Sequence, residues 1–287
     1  MKKHFTELVR RASSILPADV SAALLKAAGD EEAGGRARHV LLCLLENARA
    51  AEAGSLPICQ DTGTLIFHVG HGPEFSQFEL EAQIMEAVSD ATAMSYLRPN
   101  AVDPITGANS GNNLGRGSPL VLFRQRPDPG LCATLLLKGG GSENASAQYS
   151  LPDAAIGAGR DLDGVRRCIL HAAHLAQGRG CAPGTLGVGV GGDRMTSYLC
   201  AKEQLLRKLD DTNSDPRLGA LETRVRSEVN SLGIGPMGFG GRTTVLGVKI
   251  GARHRLPASF FVSIAYMCWA LRRCTMTIRD GVVEYSS

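Results

Sequence analysis

Residues 180–193 read GCAPGTLGVGVGGD. From Thr185 to Val190 apolar residues alternate with glycine, the period of two that a strand imposes on its side chains. Gly191-Gly192 then leads into a helix expected from about Asp193 to Leu209, and Asp193 is a natural N-cap for it. A strand that opens directly into a helix implies packed sheet and helix layers, so the class is α/β or mixed α+β.

The flanking sequence agrees. Leu8, Val9, Ala12 and Leu16, then Val40, Leu41, Leu44 and Leu45, recur at three- and four-residue steps. They predict two helical segments between Phe5 and about Ala53, divided at Gly34-Gly35, and hence a helical N-terminal part over about 1–55. A third helix is expected from about Phe75 to Leu97, stopping ahead of Pro99 because the residue before proline disfavours the helical region. Residues 98–119, rich in proline, glycine and asparagine, read as loop. Ala133–Leu137 suits a strand, 163–177 and 218–232 suit helices, and 243–250 and 259–267 suit strands. The expected whole is a single domain spanning 1–287, a helical N-terminal part followed by strands and helices around mixed sheets.

Composition excludes several function classes. A net charge of +3 without an aromatic-interleaved basic stripe is no nucleic-acid footprint, and 5% aromatics leave few base-stacking platforms. The longest apolar run, Phe260 to Leu271, falls short of the roughly 20 residues that span a bilayer and reads as a buried strand or core segment. The start, MKKHFTELVRRASSIL, has no continuous apolar stretch of the signal-peptide kind, so a cytoplasmic setting is expected. Eight cysteines in such a chain argue for reduced thiols or metal ligands over a disulfide framework.

Three loops combine glycine with polar residues after an apolar run: KGGGSENA at 138–145, GVGVGGDR at 187–194 and GIGPMGFGGRTT at 233–244. Such loops let backbone amides approach an anion, or else serve only tight turns and close strand–helix packing. A nucleotide fold rests on these glycine loops alone, and no GxxxxGK[ST] loop accompanies them.

Cysteine spacing alone identifies no metal site, but the local words around three cysteines do more. PICQDTGT at 57–64, GCAPGTLGVGVGGD, GIGPMGFGGRTT and PASFFVSIAYMCWALRR at 257–273 together resemble the iron–sulfur hydro-lyase family, the α region of class I fumarases and L-tartrate dehydratases. The resemblance runs from about residue 40 to 273. It implies a [4Fe–4S] cluster built from three loops and held by Cys59, Cys181 and Cys268, with one iron not ligated by protein and able to act as a Lewis acid. Cys43, Cys132, Cys168, Cys200 and Cys274 are then expected to be core thiols.

The same resemblance makes Gln60 and Asp61 substrate contacts, with Asp61 placed to orient a hydroxyl or water, and Arg98 the arginine that grips a carboxylate through its guanidinium fork. Amides near Gly141 would hold carboxylate oxygen, while Lys138 reads as a surface charge. The implied reaction is reversible hydration of fumarate to malate, with tartrate to oxaloacetate second; SENAS and GPMGFGG lean toward fumarases. A non-catalytic iron–sulfur protein for electron transfer or sensing is a reading of another class, though such a protein would want all its irons ligated and shielded.

In one place the text departs from the family. Relatives read ARHPAS where this chain reads ARHRLPAS (252–259), so Leu256 stands twelve residues before Cys268, where they carry a histidine. His254, two residues earlier, is displaced by about 7 Å on a strand. His68, His71, His171 and His174 read as structural or surface residues. In relatives the acid/base group and further carboxylate contacts come from a second region. The expectation for this chain, which ends at Ser287, is therefore a separate β subunit in an α2β2 assembly acting on a small dicarboxylate.

Overall fold

The amphipathic start of the chain forms helix α1 (Lys2–Ser14), which buries Phe5, Leu8, Val9 and Ala12 completely. In the computed structural model, which describes residues 1–286, α1 belongs to the first of two units, made of Met1–Ala18, Glu46–Gly140 and the segment from Arg272 onward. Its sheet has the order β2-β1-β3-β8-β9, from β1 (Thr64–His71), β2 (Leu120–Gln125), β3 (Leu131–Lys138), β8 (Arg272–Arg279) and β9 (Val282–Ser286). Only β1 and β2 run parallel. Helix α4 (Gln77–Ala93) and α1 cover this sheet with Leu80, Ile84, Ala87 and Ala91 against Phe67, Leu135 and Met276. Phe5 meets Phe67 edge-on, with ring centroids 6.4 Å apart.

The second unit comprises Asp19–Leu45 and Gly141–Leu271, and the short helix α5 (Gly140–Asn144) precedes its first strand. Its sheet, β4-β7-β5-β6, is built from β4 (Ala147–Ser150), β5 (Gly184–Gly191), β6 (Val245–Arg253) and β7 (Phe261–Met267). Strand β5 is buried along its whole length, between the parallel β6 and the antiparallel β7. Leu186, Val188 and Val190 enter a core shared with α6 (Leu162–Ala176) and α8 (Pro216–Asn230). The alternate residues face α7 (Arg194–Gln204), where a Cβ on Gly187 or Gly189 would fall 2.2 Å from the Ala201 carbonyl oxygen or 2.0 Å from that of Ser197. These glycines therefore exist for close strand–helix packing, the blander of the two readings of GVGVGGDR. Asp193 caps α7 with a reciprocal Thr196 box, as expected.

The mixed α/β class and the helical N-terminus hold, with several boundaries displaced. The N-terminal helices are α1, α2 (Ala18–Asp30) and α3 (Arg36–Gly54), because Pro17 adds a break that the Gly34-Gly35 division did not anticipate. Helix α4 ends four residues early: Ser95 turns left-handed (φ 64°) and the Tyr96 amide folds back on the Ala91 carbonyl. Helix α7 stops at Gln204, where the amides of Leu205 and Leu206 tighten onto Lys202 and Glu203. The segment expected to be a buried strand within 260–271 is β7.

Candidate active site

The CQDTG stretch joins α3 to β1, and its entry is pinned at two points. The Ile58 amide donates to the Ser13 carbonyl at 2.9 Å, and Asn47 Nδ2 donates to the Ile58 carbonyl at 2.9 Å. Gly63 sits at φ 82°, where a Cβ would lie 2.7 Å from the Lys138 carbonyl carbon, so glycine alone lets this loop rest on the end of β3. Asp61 is half-buried. Arg272 Nη1 donates to its main-chain oxygen at 2.8 Å, and its carboxylate reaches the glycine turn, with Oδ2 3.0 Å from where a Gly139 Cβ would stand. Lys138 is not the surface charge expected: it closes the buried β3 at 1% exposure, and Arg272, paired in register with Leu137, is equally buried.

The loop carrying Arg98 has almost no regular structure, so side chains satisfy its backbone. Asn113, buried and left-handed at φ 63°, is the hub. Its Oδ1 accepts from the Asn100 amide at 2.7 Å, and its Nδ2 donates to the Arg98 carbonyl and to Thr92 Oγ1, both at 2.9 Å. Asn100 Nδ2 in turn donates to Thr62 Oγ1 at 2.8 Å, which also accepts from the Arg98 amide at 3.3 Å. The network thus ties the Arg98 backbone to the CQDTG loop while the guanidinium stays exposed. Beside it opens a cleft of about 730 Å³, lined by Asp61, Thr64, Asn100, Asn113, Arg116 and Gly140 among others. Gln60 and Arg98 lie outside its lining.

The second unit carries the other residues singled out in the sequence. Cys181 is exposed at φ 56°, in the turn between α6 and β5, and its carbonyl accepts from the Trp269 amide at 3.0 Å. That bond ties it to the residue following Cys268, which is half-buried just past the end of β7. The segment that starts at the exposed Gly141 joins the same strand, since the Tyr266 amide donates to Ser146 Oγ at 3.0 Å. Tyr266 is 2% exposed, and its hydroxyl is buried with no hydrogen-bond partner among the described residues. Burial pushes its phenol well above the ordinary range, and the neighbouring sulfurs of Cys268 and Cys181 act in the same direction.

No disulfide joins any of the eight cysteines. Cys168, Cys200 and Cys274 are buried as expected, and burial pushes the Cys168 thiol up to about 12. Cys132 is half-buried, whereas Cys43 is no core residue: it is exposed on α3, with Sγ 3.7 Å from His39 Nε2. Among the described residues no group of three or more His, Cys, Asp or Glu is gathered around a single-ion site. The donors that suit an iron–sulfur group are sulfurs. Cys181 and Cys268, joined through the backbone and flanking a buried phenol that lacks a partner, fit such a group. His71 is buried between the Gly72 carbonyl and Gln77 Nε2, a structural role. His254 and Leu256 are both exposed beyond the end of β6.

A family profile described as fumarate hydratase (Fumerase) matches residues 2–277. The chain belongs to this family. It is 51% identical, over 97% of its length, to a protein of Geobacillus stearothermophilus provisionally named fumarate hydratase class I, and it spans 55% of that relative. It is 35% identical to a protein of Methanocaldococcus jannaschii provisionally named L(+)-tartrate dehydratase subunit alpha, over 95% of both chains. The L(+)-tartrate dehydratase subunit alpha of Escherichia coli is 29% identical over 96% of this chain and 88% of its own. Thus the chain spans about half the length of one relative and nearly all of the other two. Sequence reasoning within this family missed Thr62, Asn113, Arg272 and Tyr266, whose roles arise from backbone contacts and burial. Thr62 lies inside the CQDTG word and Tyr266 and Arg272 inside PASFFVSIAYMCWALRR, whereas Asn113 carried no such local signal.

Proposed function

We propose that this chain is the cluster-binding α subunit of an iron–sulfur hydro-lyase that adds water reversibly to fumarate to give (S)-malate. The observation that carries the choice is 51% identity to the class I fumarate hydratase relative, against 35% and 29% to the tartrate dehydratase α subunits. L(+)-tartrate is the second substrate to test, because those α subunits match this chain over nearly its full length.

In this reading Cys59, Cys181 and Cys268 hold a [4Fe–4S] group with one iron not ligated by protein. When bound, the group supplies a Lewis acid for the substrate hydroxyl. The chain's own residues do the rest of its share. Asp61, at the cleft and anchored through its carbonyl by Arg272, orients the hydroxyl or water. Arg98 offers an exposed guanidinium fork to one carboxylate, Gln60 lies beside Asp61 to contact the same substrate, and the amides near Gly141 receive carboxylate oxygen. The exposed Leu256 cannot exchange a proton, so the general acid/base belongs to a β subunit, in an α2β2 assembly. Support for that partner is the name "subunit alpha" borne by two relatives. No helix of the described residues is long and apolar enough to cross a membrane. The reading places the protein in the cytoplasm, where an exposed thiol such as Cys181 stays reduced.

The test is anaerobic reconstitution with iron and sulfide in the presence of the β subunit, followed by fumarate absorbance and by oxaloacetate release from tartrate. Cys59→Ser, Cys181→Ser and Cys268→Ser should each lose the cluster's visible absorbance and iron, while Cys274→Ser retains both. Retention in any of the first three removes that residue from the ligand set. Turnover of tartrate but not fumarate would reverse the substrate order.

A further inference from the structure

The two glycines flanking Cys181 do not serve turn geometry, since neither adopts a left-handed φ. They make room for one ring. A Cβ on Gly180 would lie 2.3 Å from Tyr266 Cε1, and a Cβ on Gly184 would lie 2.6 Å from Cζ and 2.7 Å from the phenolic oxygen. The Cys181 loop is therefore moulded onto Tyr266, whose hydroxyl end is pressed against the loop's C-terminal half.

That placement leaves the hydroxyl with nothing to bond. The oxygen is fully buried and has no partner among the described residues, although the ring and backbone around it are closely packed. A buried donor without an acceptor costs free energy that phenylalanine, of nearly the same shape, would avoid. The sulfur-bearing residues beside the ring are Cys181, in the loop moulded onto it, and Cys268, two residues along the chain. A tyrosine at this position makes physical sense when its acceptor arrives with a ligand bound on those sulfurs.

We propose that Tyr266 is a positioning residue for the iron–sulfur group, its O–H donating a hydrogen bond to a sulfur of that group or of its cysteine ligands. The assignment rests on the cluster reading of Cys181 and Cys268 given above. Hydrogen bonds to cluster sulfurs draw electron density from them and favour the reduced state, so they raise the reduction potential. Tyr266 thus sets the potential and resists oxidative loss of the cluster, without itself touching substrate.

The experiment compares wild type and Tyr266→Phe, both reconstituted anaerobically, in a dithionite titration followed by electron paramagnetic resonance. Each cluster takes up one electron from the reductant. Tyr266→Phe should load the same iron and sulfide, and its one-electron reduction constant should fall about tenfold, a 59 mV lower potential. Without iron, its thermal midpoint should equal or exceed that of wild type, because an unpartnered buried hydroxyl has been removed. An unchanged potential at full cluster loading overturns the proposal, as does a lower thermal midpoint of the iron-free variant, which would show that the hydroxyl already has a partner. If the wild type takes up no cluster, or Cys181→Ser and Cys268→Ser keep theirs, the cluster reading itself has failed, and the titration separates the two cases.

Discussion

Replacing Asn113 by alanine tests whether the loop bearing Arg98 is held by side-chain hydrogen bonds and not by packing. The change removes three bonds, from the Asn100 amide and to the Arg98 carbonyl and Thr92 Oγ1. At about 1 kcal/mol net for each, the loss is about 3 kcal/mol. Asn113 also sits at φ 63°, a conformation that costs alanine roughly 1 kcal/mol more than asparagine or glycine. Asn113→Ala should therefore lose about 4 kcal/mol and Asn113→Gly about 3 kcal/mol, which lowers the thermal midpoint by about 5–10 °C for a chain of this size. Circular dichroism melts of the iron-free chain measure both, and limited proteolysis should show faster cleavage within 98–119. If Asn113→Ala melts within about 2 °C of wild type and is cut no faster, the loop is held by something else. The ordering of the two variants matters as much, because a glycine variant weaker than the alanine one would deny the left-handed strain.

Gly189→Ala should cost about 3 kcal/mol, the upper end of overpacking penalties, because its Cβ would sit 2.0 Å from the Ser197 carbonyl oxygen and 2.8 Å from the Ala201 amide nitrogen, forcing α7 away from β5. Chemical denaturation with an unchanged slope checks it, and a loss under about 1 kcal/mol would show that α7 yields freely. Glu222→Ala should destabilise by about 3 kcal/mol, since the carboxylate accepts from Arg207, Asn213 and the Ile250 amide at about 1 kcal/mol net for each bond, while Arg207 keeps its paired bonds to Asp211. Glu222→Gln keeps an acceptor and should lose less in the same urea titration. Equal losses would mean that the charge, and not the hydrogen bonding, carries the effect.

Legibility in the sequence followed locality. Cys59, Cys181 and Cys268 each sit in a word whose neighbours constrain it, and α6 and α8 showed regular apolar spacing ahead of Gly178 and Gly233. Strand β1 went unread because TLIFHVGH is buried on both faces and interrupted by histidine and glycine, so no alternation survives. Lys138 misled for the opposite reason: a lysine before glycines looks solvated, yet it is the last residue of a central strand. The slot for Tyr266 was invisible because it pairs residues 180 and 184 with one more than eighty positions away. Such long-range contacts leave no periodic trace.

The two halves of the proposed chemistry are built on different physical supports. Cys181 is fixed by backbone: a left-handed turn, a carbonyl tied to Trp269 and a loop with no room for side chains at 180 and 184. Such a thiol needs little ordering when it takes a metal, and reconstitution should therefore depend weakly on the substrate. Arg98 is the reverse case. Its backbone is tied at both its amide and its carbonyl, yet its guanidinium is exposed, so gripping a carboxylate costs the side-chain entropy that the free chain still holds. In the proposed chemistry, selectivity between a planar fumarate and a hydroxylated tartrate would thus fall to the residues that are already fixed, Asp61 above all, whose carbonyl is anchored by the buried Arg272. On the same proposal, Arg98 would contribute attraction common to both dicarboxylates.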